Sequence, residues 1–509
     1  MRAIWTTALA VLFYFPALLS GTHVGIQEGI HADAPVRTAA SVQLAVPAHA
    51  VALPAAPATV PAPAPEIVPP AFRAAASDPP DRPLHQVVDS IVEAAMADGR
   101  AAGMSVAVAR EGRILVDRTY GHADLELDVP TPPDGVYEIG SVTKQFTSAA
   151  ILQLQEQGKV DLDADLTTYL PEYPTQGRRI PVRRLLDHTS GIRGYTEIPG
   201  FGDLSIRTVP RDTVVAFFAS EPFDFEPGEA AIYNNSAYFL LGLIIEEVTG
   251  MDYEEYVEEH LFRPAGMIHS SYCSETRITP RKVKGYQAGP DGLQHKPFLV
   301  HLHPYAAGSL CSTTRDLIRW TEALHDGRIL GEEAYRVMVS GGRLNDGTEL
   351  RYAAGLSLTP IRGHRAIHHG GGINGFLTSL VWIPEEDLTV AVLVNTTGPV
   401  GPGGISADIV EAMLGERPLE TVTFTGDPTR YEGSFEGVGR GQPLRASFMV
   451  GDEGELMVRL GQGSPQPLAY LGGETFALGN SRVTFEWDGN RVARIRADMG
   501  LNYSFLYPD

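Results

Sequence analysis

Two β-hairpin signatures at opposite ends of a long helical stretch constrain the fold of this chain more than any other feature. Met104 to Arg110 and Arg113 to Arg118 flank Glu111-Gly112, a tight-turn pair. Leu377 to Ile383 and Leu388 to Val394 are β runs separated by Pro384-Glu385-Glu386-Asp387. Between them the pattern is helical. Phe146, Ala150, Ile151 and Leu154 form one stripe that stops at Gly158, and Ala237 to Val248, Tyr253 to Leu261 and Thr313 to Leu324 follow. Val88, Ile91, Val92 and Ala95 open the body at helical spacing near Leu84, and Ile405 to Leu414 reads as its last helix. β segments near both ends with helices between them predict one α+β domain over 84–418, its sheet joining the two ends.

The texture differs outside that span. Leu444, Ala446, Phe448 and Val450 alternate with polar neighbours, as do Leu456, Val458 and Leu460, then Val483, Phe485 and Trp487. Asp488-Gly489 supplies a tight turn before Val492. Residues 425–509 are therefore expected to form a small antiparallel β-barrel or β-sandwich. At the other end, Met1-Arg2 precedes an apolar run from Ala3 to Leu19 that contains Pro16. Residues 1–21 read as a signal peptide or an uncleaved anchor, the cleaved form fitting better, so a periplasmic or extracellular location is expected. Residues 22–83 are rich in alanine and proline, as in Val60 to Pro65, and read as a linker that builds no core. Cys273 and Cys311 are the only cysteines, and export permits a disulfide, although two buried free thiols fit equally well.

Charge narrows the partners. Lys+Arg number 40 against 62 Asp+Glu, a formal net charge of −22, which argues against nucleic acid and anionic lipid surfaces. Membrane contact is expected only if the N-terminal segment stays uncleaved, and nothing fixes the oligomeric state. Charge says little about small-molecule substrates.

The chemistry starts at Ser141-Val142-Thr143-Lys144, the only Ser-x-x-Lys in a chain with five lysines. At the start of a helix this spacing stacks hydroxyl and amine on one face, and an unprotonated lysine there can serve as the base for the serine. Other chemistries lack their parts. There is no Gly-x-Ser-x-Gly and no His-Glu-x-x-His. His301 and His303 read as solvated loop histidines, and Gly370-Gly371-Gly372 lacks the Lys-Ser/Thr of a phosphate loop. No metal and no organic cofactor is expected.

Two later segments answer the serine and lysine. Tyr233-Asn234-Asn235 lies on a loop before an apolar helix, where a phenol and a carboxamide can point into one cleft. His369 and the three glycines precede a β run, where a backbone N–H and that of Ser141 can form an oxyanion hole. Taken singly, each reads more simply as structure: a packing tyrosine, a capping asparagine, a glycine turn.

Taken in order, Ser-x-x-Lys, Tyr-x-Asn and His-x-Gly resemble the serine β-lactamase and penicillin-binding superfamily. The likeness is strongest to the branch of class C β-lactamases, D-alanyl-D-alanine carboxypeptidases, D-aminopeptidases and related esterases. Leu185 to Gly191, Phe225 to Gly228, Pro264 to Met267 and Ala307 to Thr313 match it further, and Tyr431 to Ser434 resembles the opening of a C-terminal β domain in some members. The resemblance implies an antiparallel sheet flanked by helices plus an all-helical region. It implies that Ser141 attacks an acyl carbon, that Lys144 and Tyr233 share the proton traffic, and that Asn235 orients Lys144 or a substrate amide. Which of Lys144 and Tyr233 is the acylation base stays open, with Tyr233 the better partner for the deacylating water. N–H groups of Ser141 and Gly372 would hold the oxyanion.

His369 lies where many β-lactamases carry lysine, so carboxylate recognition is expected to be weaker or supplied elsewhere. The expected function is an exported serine hydrolase acting on small esters or amides, including D-amino-acid peptides, through a Ser141 acyl-enzyme. The alternatives are a β-lactamase or D-Ala-D-Ala carboxypeptidase, and a non-catalytic relative binding peptidoglycan or a partner.

Overall fold

A computed structural model of the chain describes residues 82–509. The N-terminal segment 1–21, and the linker up to residue 81, lie outside the described residues. Strand β1 (Gly103–Arg110) and β2 (Arg113–Asp124) form the first hairpin. Strands β3 (Ile367–Ile373), β4 (Phe376–Ile383) and β5 (Leu388–Val394) form a meander. The two ends meet as expected: β1 pairs antiparallel with β5, from Met104 opposite Val394 to Arg110 opposite Leu388. The sheet runs Val129–Pro130, β2, β1, β5, β4, β3, which leaves β3 on an open edge.

Both central strands are buried on both faces, and the pleat sorts their residues into two cores. Met104, Val106, Val108, Val390, Val392 and Val394 face one way, against Val88 and Val92 of helix α1 (Leu84–Met96) and Ile405, Ile409 and Val410 of the last helix of the body, Pro402–Leu414. Ala107, Ala109, Ala391 and Leu393 face the other way, into the larger core. Small alanines on that side let the helix Thr314–His325 approach the sheet, and its Trp320 meets α2 (Thr143–Glu156). Phe146 of α2 stacks on Trp320 at 4.0 Å between centroids. The stripe read from sequence is too narrow for α2, because every residue from Thr143 to Leu152 is buried. A helix buried all round shows no clean amphipathic period.

Helix α3 (Asn235–Thr249) is capped by Asn234, whose Oδ1 accepts the Ala237 N–H at 2.8 Å. The Tyr253 to Leu261 expectation resolves into a short α-helix, Tyr253–Val257, that passes into a π-helical turn, Glu258–Phe262. Cys273 and Cys311 form a disulfide with Cα atoms 5.2 Å apart. It spans a separation of 38 residues, for which loop entropy alone gives a stabilisation of about 4 kcal/mol.

His301 and His303 are not solvated. Both are buried, with His303 Nε2 donating to the Arg207 carbonyl at 2.7 Å and His301 Nε2 lying 3.4 Å from the Glu138 carboxylate. Among the described residues no group of three potential metal ligands occurs, and no helix is long and apolar enough to cross a membrane.

Residues 433–508 form a single nine-stranded antiparallel sheet, so the barrel expectation holds over the sandwich. Its edge strands, Gln466–Pro467 and Ala469–Gly472, are joined through Leu468, which curls the sheet nearly closed around Phe435, Phe448, Phe476, Phe485, Ile495 and Leu506. Body and barrel belong to one compact unit. The last strand, β6 (Tyr503–Pro508), reaches out of the barrel: Tyr503 makes a two-bond antiparallel bridge with Ala231 of the body. Arg351 adds a fork onto Asp498, with Nε and Nη2 at 2.7 and 2.8 Å from its carboxylate oxygens.

Candidate active site

Ser141 sits on a 3₁₀ turn, Gly140–Val142, that feeds directly into α2. Gly140 there has φ +52°, and a Cβ on it would come within 2.8 Å of the Gly372 nitrogen, so only glycine lets this turn lie against β3. Ser141 stays partly exposed while every residue from Val142 to Leu152 is buried. Lys144, one turn on, is 0% exposed. Its Nζ donates to Asn235 Oδ1 at 2.8 Å and to the Ala307 carbonyl at 2.9 Å, and lies 3.4 Å from Ser141 Oγ. Burial pushes its pKa well below the ordinary lysine range; the Arg440 charge helps, and Glu197 opposes. A neutral amine has two N–H donors and one lone pair. With both donors taken by Asn235 and Ala307, the lone pair is left for the Ser141 hydroxyl.

The segment carrying Tyr233 is gripped from both sides in strict alternation. Ile232 N–H donates to the His188 carbonyl at 3.1 Å and Asn234 N–H to His188 Nδ1 at 3.2 Å. On the other side Ala231 exchanges bonds with Tyr503, and Tyr233 N–H donates to Asn502 Oδ1 at 2.8 Å. His188 takes a left-handed φ of +62° and lays its ring 4.5 Å from that of Tyr233. Lys144 Nζ is 4.7 Å from the centre of the same ring. Burial raises the Tyr233 pKa, with Ser141 and Arg440 pulling it back, so the phenol keeps its proton at neutral pH. Its hydroxyl is buried and makes no well-formed hydrogen bond, although the Ser141 hydroxyl is near enough to lower its pKa.

The β3 edge supplies the third side. Ile373 and Phe376 close a two-residue turn and face each other, with Gly372 opposite Leu377 next along. Residues flanking such a turn exchange both ladder bonds, so Gly372 falls at a non-bonded position and its N–H points off the open edge, beside the Ser141 turn. Gly371 has no room for a side chain: a Cβ would meet the Ile139 carbonyl at 2.0 Å. Ser141 N–H, in the first turn of its helix, has no carbonyl behind it to bond. The Ser141 and Gly372 N–H groups are therefore both left without a helical or ladder partner beside the same turn.

Of the predicted residues, Ser141, Lys144, Tyr233, Asn235 and Gly372 come together. His369 is brought near but is not a docking group. It is 3% exposed, its Nδ1–H donates to the Gly370 carbonyl at 2.5 Å, and its Nε2 accepts from the Tyr352 hydroxyl at 3.0 Å. Burial, with the neighbouring Lys144, brings its pKa down to about 3, so the ring is neutral and fully committed to its neighbours. Four residues escaped the sequence reading: Thr196, Glu197, Arg440 and Asn502. Asn235 Nδ2 donates to Thr196 Oγ1 at 3.2 Å, and Arg440 pairs with Glu197 at 2.7 Å. Arg440 and Asn502 come from the barrel, whose part in the cleft no local motif announces.

Comparison with known proteins agrees with this geometry. The Beta-lactamase family model matches residues 88–411. Penicillin-binding protein 4* of Bacillus subtilis (strain 168) is 29% identical over 308 residues, covering 57% of this chain and 67% of that protein. D-aminopeptidase of Gluconobacter oxydans (strain 621H) is 28% identical over 359 residues, covering 68% of this chain and 65% of that protein. Among solved structures, D-amino acid amidase from Ochrobactrum anthropi SV3 superposes with a TM-score of 0.58 at 26% identity, over 65% of this chain and 98% of that one. A serine hydroxyl beside a buried lysine amine whose pKa is pushed well down fits the class of serine hydrolases that work without a histidine base. Within that class, the chain belongs to the Beta-lactamase family.

Proposed function

We propose that the protein hydrolyses small amides, D-amino-acid amides and peptides foremost, and small esters, through an acyl-enzyme on Ser141. One observation carries this: Lys144 is buried, is held by Asn235 Oδ1 and the Ala307 carbonyl, and sets its Nζ 3.4 Å from Ser141 Oγ. Lys144 takes the hydroxyl proton as Oγ bonds to the substrate's carbonyl carbon, and the oxygen gains the negative charge between the N–H groups of Ser141 and Gly372. When the carbonyl re-forms, the C–N or C–O bond breaks. The leaving group departs with the Tyr233 proton, and Lys144 returns its own to Tyr233. Water then attacks the acyl carbon, passing its proton to Tyr233 as Tyr233 passes one to Lys144. The C–Oγ bond breaks and Ser141 recovers the proton. This assigns the acylation base to Lys144, because Tyr233 holds its proton at neutral pH.

The names of the relatives, D-aminopeptidase and D-amino acid amidase, support the amide class. β-Lactams and carboxypeptidase substrates rank lower, because the neutral His369 offers no cation to their carboxylate. The N-terminal segment supports work outside the cytoplasm, in the periplasm or beyond. A panel of D-amino-acid amides, D-alanyl peptides, short p-nitrophenyl esters and a chromogenic cephalosporin, run on wild type and Ser141→Ala, tests the reading. Amide or ester turnover should lead and vanish in the variant. A cephalosporin turned over faster than all others would contradict it.

A further inference from the structure

The barrel puts a charge into the cleft. Its turn between strands Gly433–Gly437 and Leu444–Val450 carries Arg440 to within 5.2 Å of the Tyr233 ring centre. Arg440 Nη2 lies 2.7 Å from Glu197 Oε1 and donates to Thr196 Oγ1 at 3.3 Å. The Thr196 hydroxyl in turn donates to Glu197 Oε1 at 2.8 Å and accepts from Asn235 Nδ2 at 3.2 Å. Asn235 passes the connection on, since its Oδ1 receives the Lys144 N–H at 2.8 Å. An unbroken polar chain thus runs from a barrel turn to the amine beside the nucleophile.

The turn is held where it is. Gly441 has φ +69°, and a Cβ on it would come within 2.7 Å of Glu197 Cβ. Its carbonyl accepts from Arg193 Nη2 at 3.3 Å, and Arg193 is itself paired with Asp224. Arg440 Nε is buried and has no acceptor, so the guanidinium is held through Nη2 on Glu197 and Thr196.

We propose that Arg440, supplied by the barrel, is a positioning residue of the active site, which with Glu197 holds Thr196 and Asn235 in place for Lys144. The proposal rests on the reading of Lys144 as the base. The groups facing Lys144 are the rings of Tyr233 and Tyr238, the buried imidazoles of His188 and His369, and the charges of Arg440 and Glu197. The tyrosines and histidines are neutral near pH 7, because burial raises the former and lowers the latter. Arg440 and Glu197 therefore act on Lys144 with opposite signs. A nearby cation disfavours the ammonium form, and a nearby carboxylate favours it.

The test is the pH profile of kcat/KM on one uncharged ester for wild type, Arg440→Met, Arg440→Lys and Glu197→Gln, each checked by melting temperature and by phosphonate titration of Ser141. The acid limb, where Lys144 loses its proton, should move to higher pH in Arg440→Met and to lower pH in Glu197→Gln, by roughly half a unit or more. Arg440→Met should lower kcat by about tenfold with KM within about twofold. Arg440→Lys should restore the limb, because the charge returns, while recovering kcat only in part. Limbs that stay in place, or move the same way in both variants, would overturn the proposal. So would a loss confined to substrates with a free carboxylate, which would make Arg440 a substrate contact. Wild type that fails to label would instead sink the hydrolase reading itself, so the two failures are distinguishable.

Discussion

Lys144→Met is expected to lower kcat by about 10³-fold or more while the protein still folds. Methionine nearly matches the lysine stem in length and fills the space beside the rings of Tyr233 and Tyr238, whose centres lie 4.7 and 5.3 Å from Nζ. It removes the one group that can take the Ser141 proton. The cost in stability is the unpairing of two acceptors, Asn235 Oδ1 and the Ala307 carbonyl, about 1–3 kcal/mol each by general experience. Because the amine is neutral in its burial, no ion pair is lost. Lys144→Arg should be as inactive and less stable, since a guanidinium stays charged and the nearby carboxylate, Glu197, is already paired with Arg440. Steady-state kinetics and thermal melts of both variants check this. A methionine variant within tenfold of wild type would mean that another group deprotonates the serine.

Tyr233→Phe carries the second large effect, with an unusual signature. Its hydroxyl is buried and makes no well-formed hydrogen bond in the resting site, where Ser141 is a weak neighbour. Removing it breaks no hydrogen bond and relieves a desolvated polar atom, so stability should stay level or rise by up to about 1 kcal/mol. The ring keeps its packing against His188, and the backbone keeps its bond to Asn502. Activity should nevertheless fall by about 10²-fold or more, chiefly in kcat, because the proton for the leaving group is gone. Loss of function with gain of stability marks a residue kept for chemistry. If activity and stability fell together, Tyr233 would be a packing residue.

The parts of the molecule that were legible are those whose signal is local. The hairpins announce themselves through turn residues and alternation, and their meeting through β1 and β5 follows from the need to pair free strand edges. Tyr233-Asn234-Asn235 shows how two readings coexist: Asn234 caps α3, as the plain reading of an asparagine before a helix has it, and Asn235 faces Lys144. The misread histidines, His301 and His303, are loop residues whose partners Glu138 and Arg207 lie far away in sequence. Arg440 and Asn502 were illegible for the same reason. Each sits in a turn or strand end of an unremarkable β domain, and only the docking of that domain brings it within reach of Thr196 and Tyr233. His369 was found by position and read as a weak carboxylate group because its ring is neutral; its burial against Tyr352 was not legible, since that partner belongs to another segment.

The account turns on Ser141 being a nucleophile activated by a neutral lysine. Titration with a serine-directed phosphonate, read by intact mass and peptide mapping, addresses this directly. Wild type should take up one equivalent at Ser141, and Ser141→Ala should take up none. Labelling of the folded protein at another residue, or no labelling at all, would contradict it.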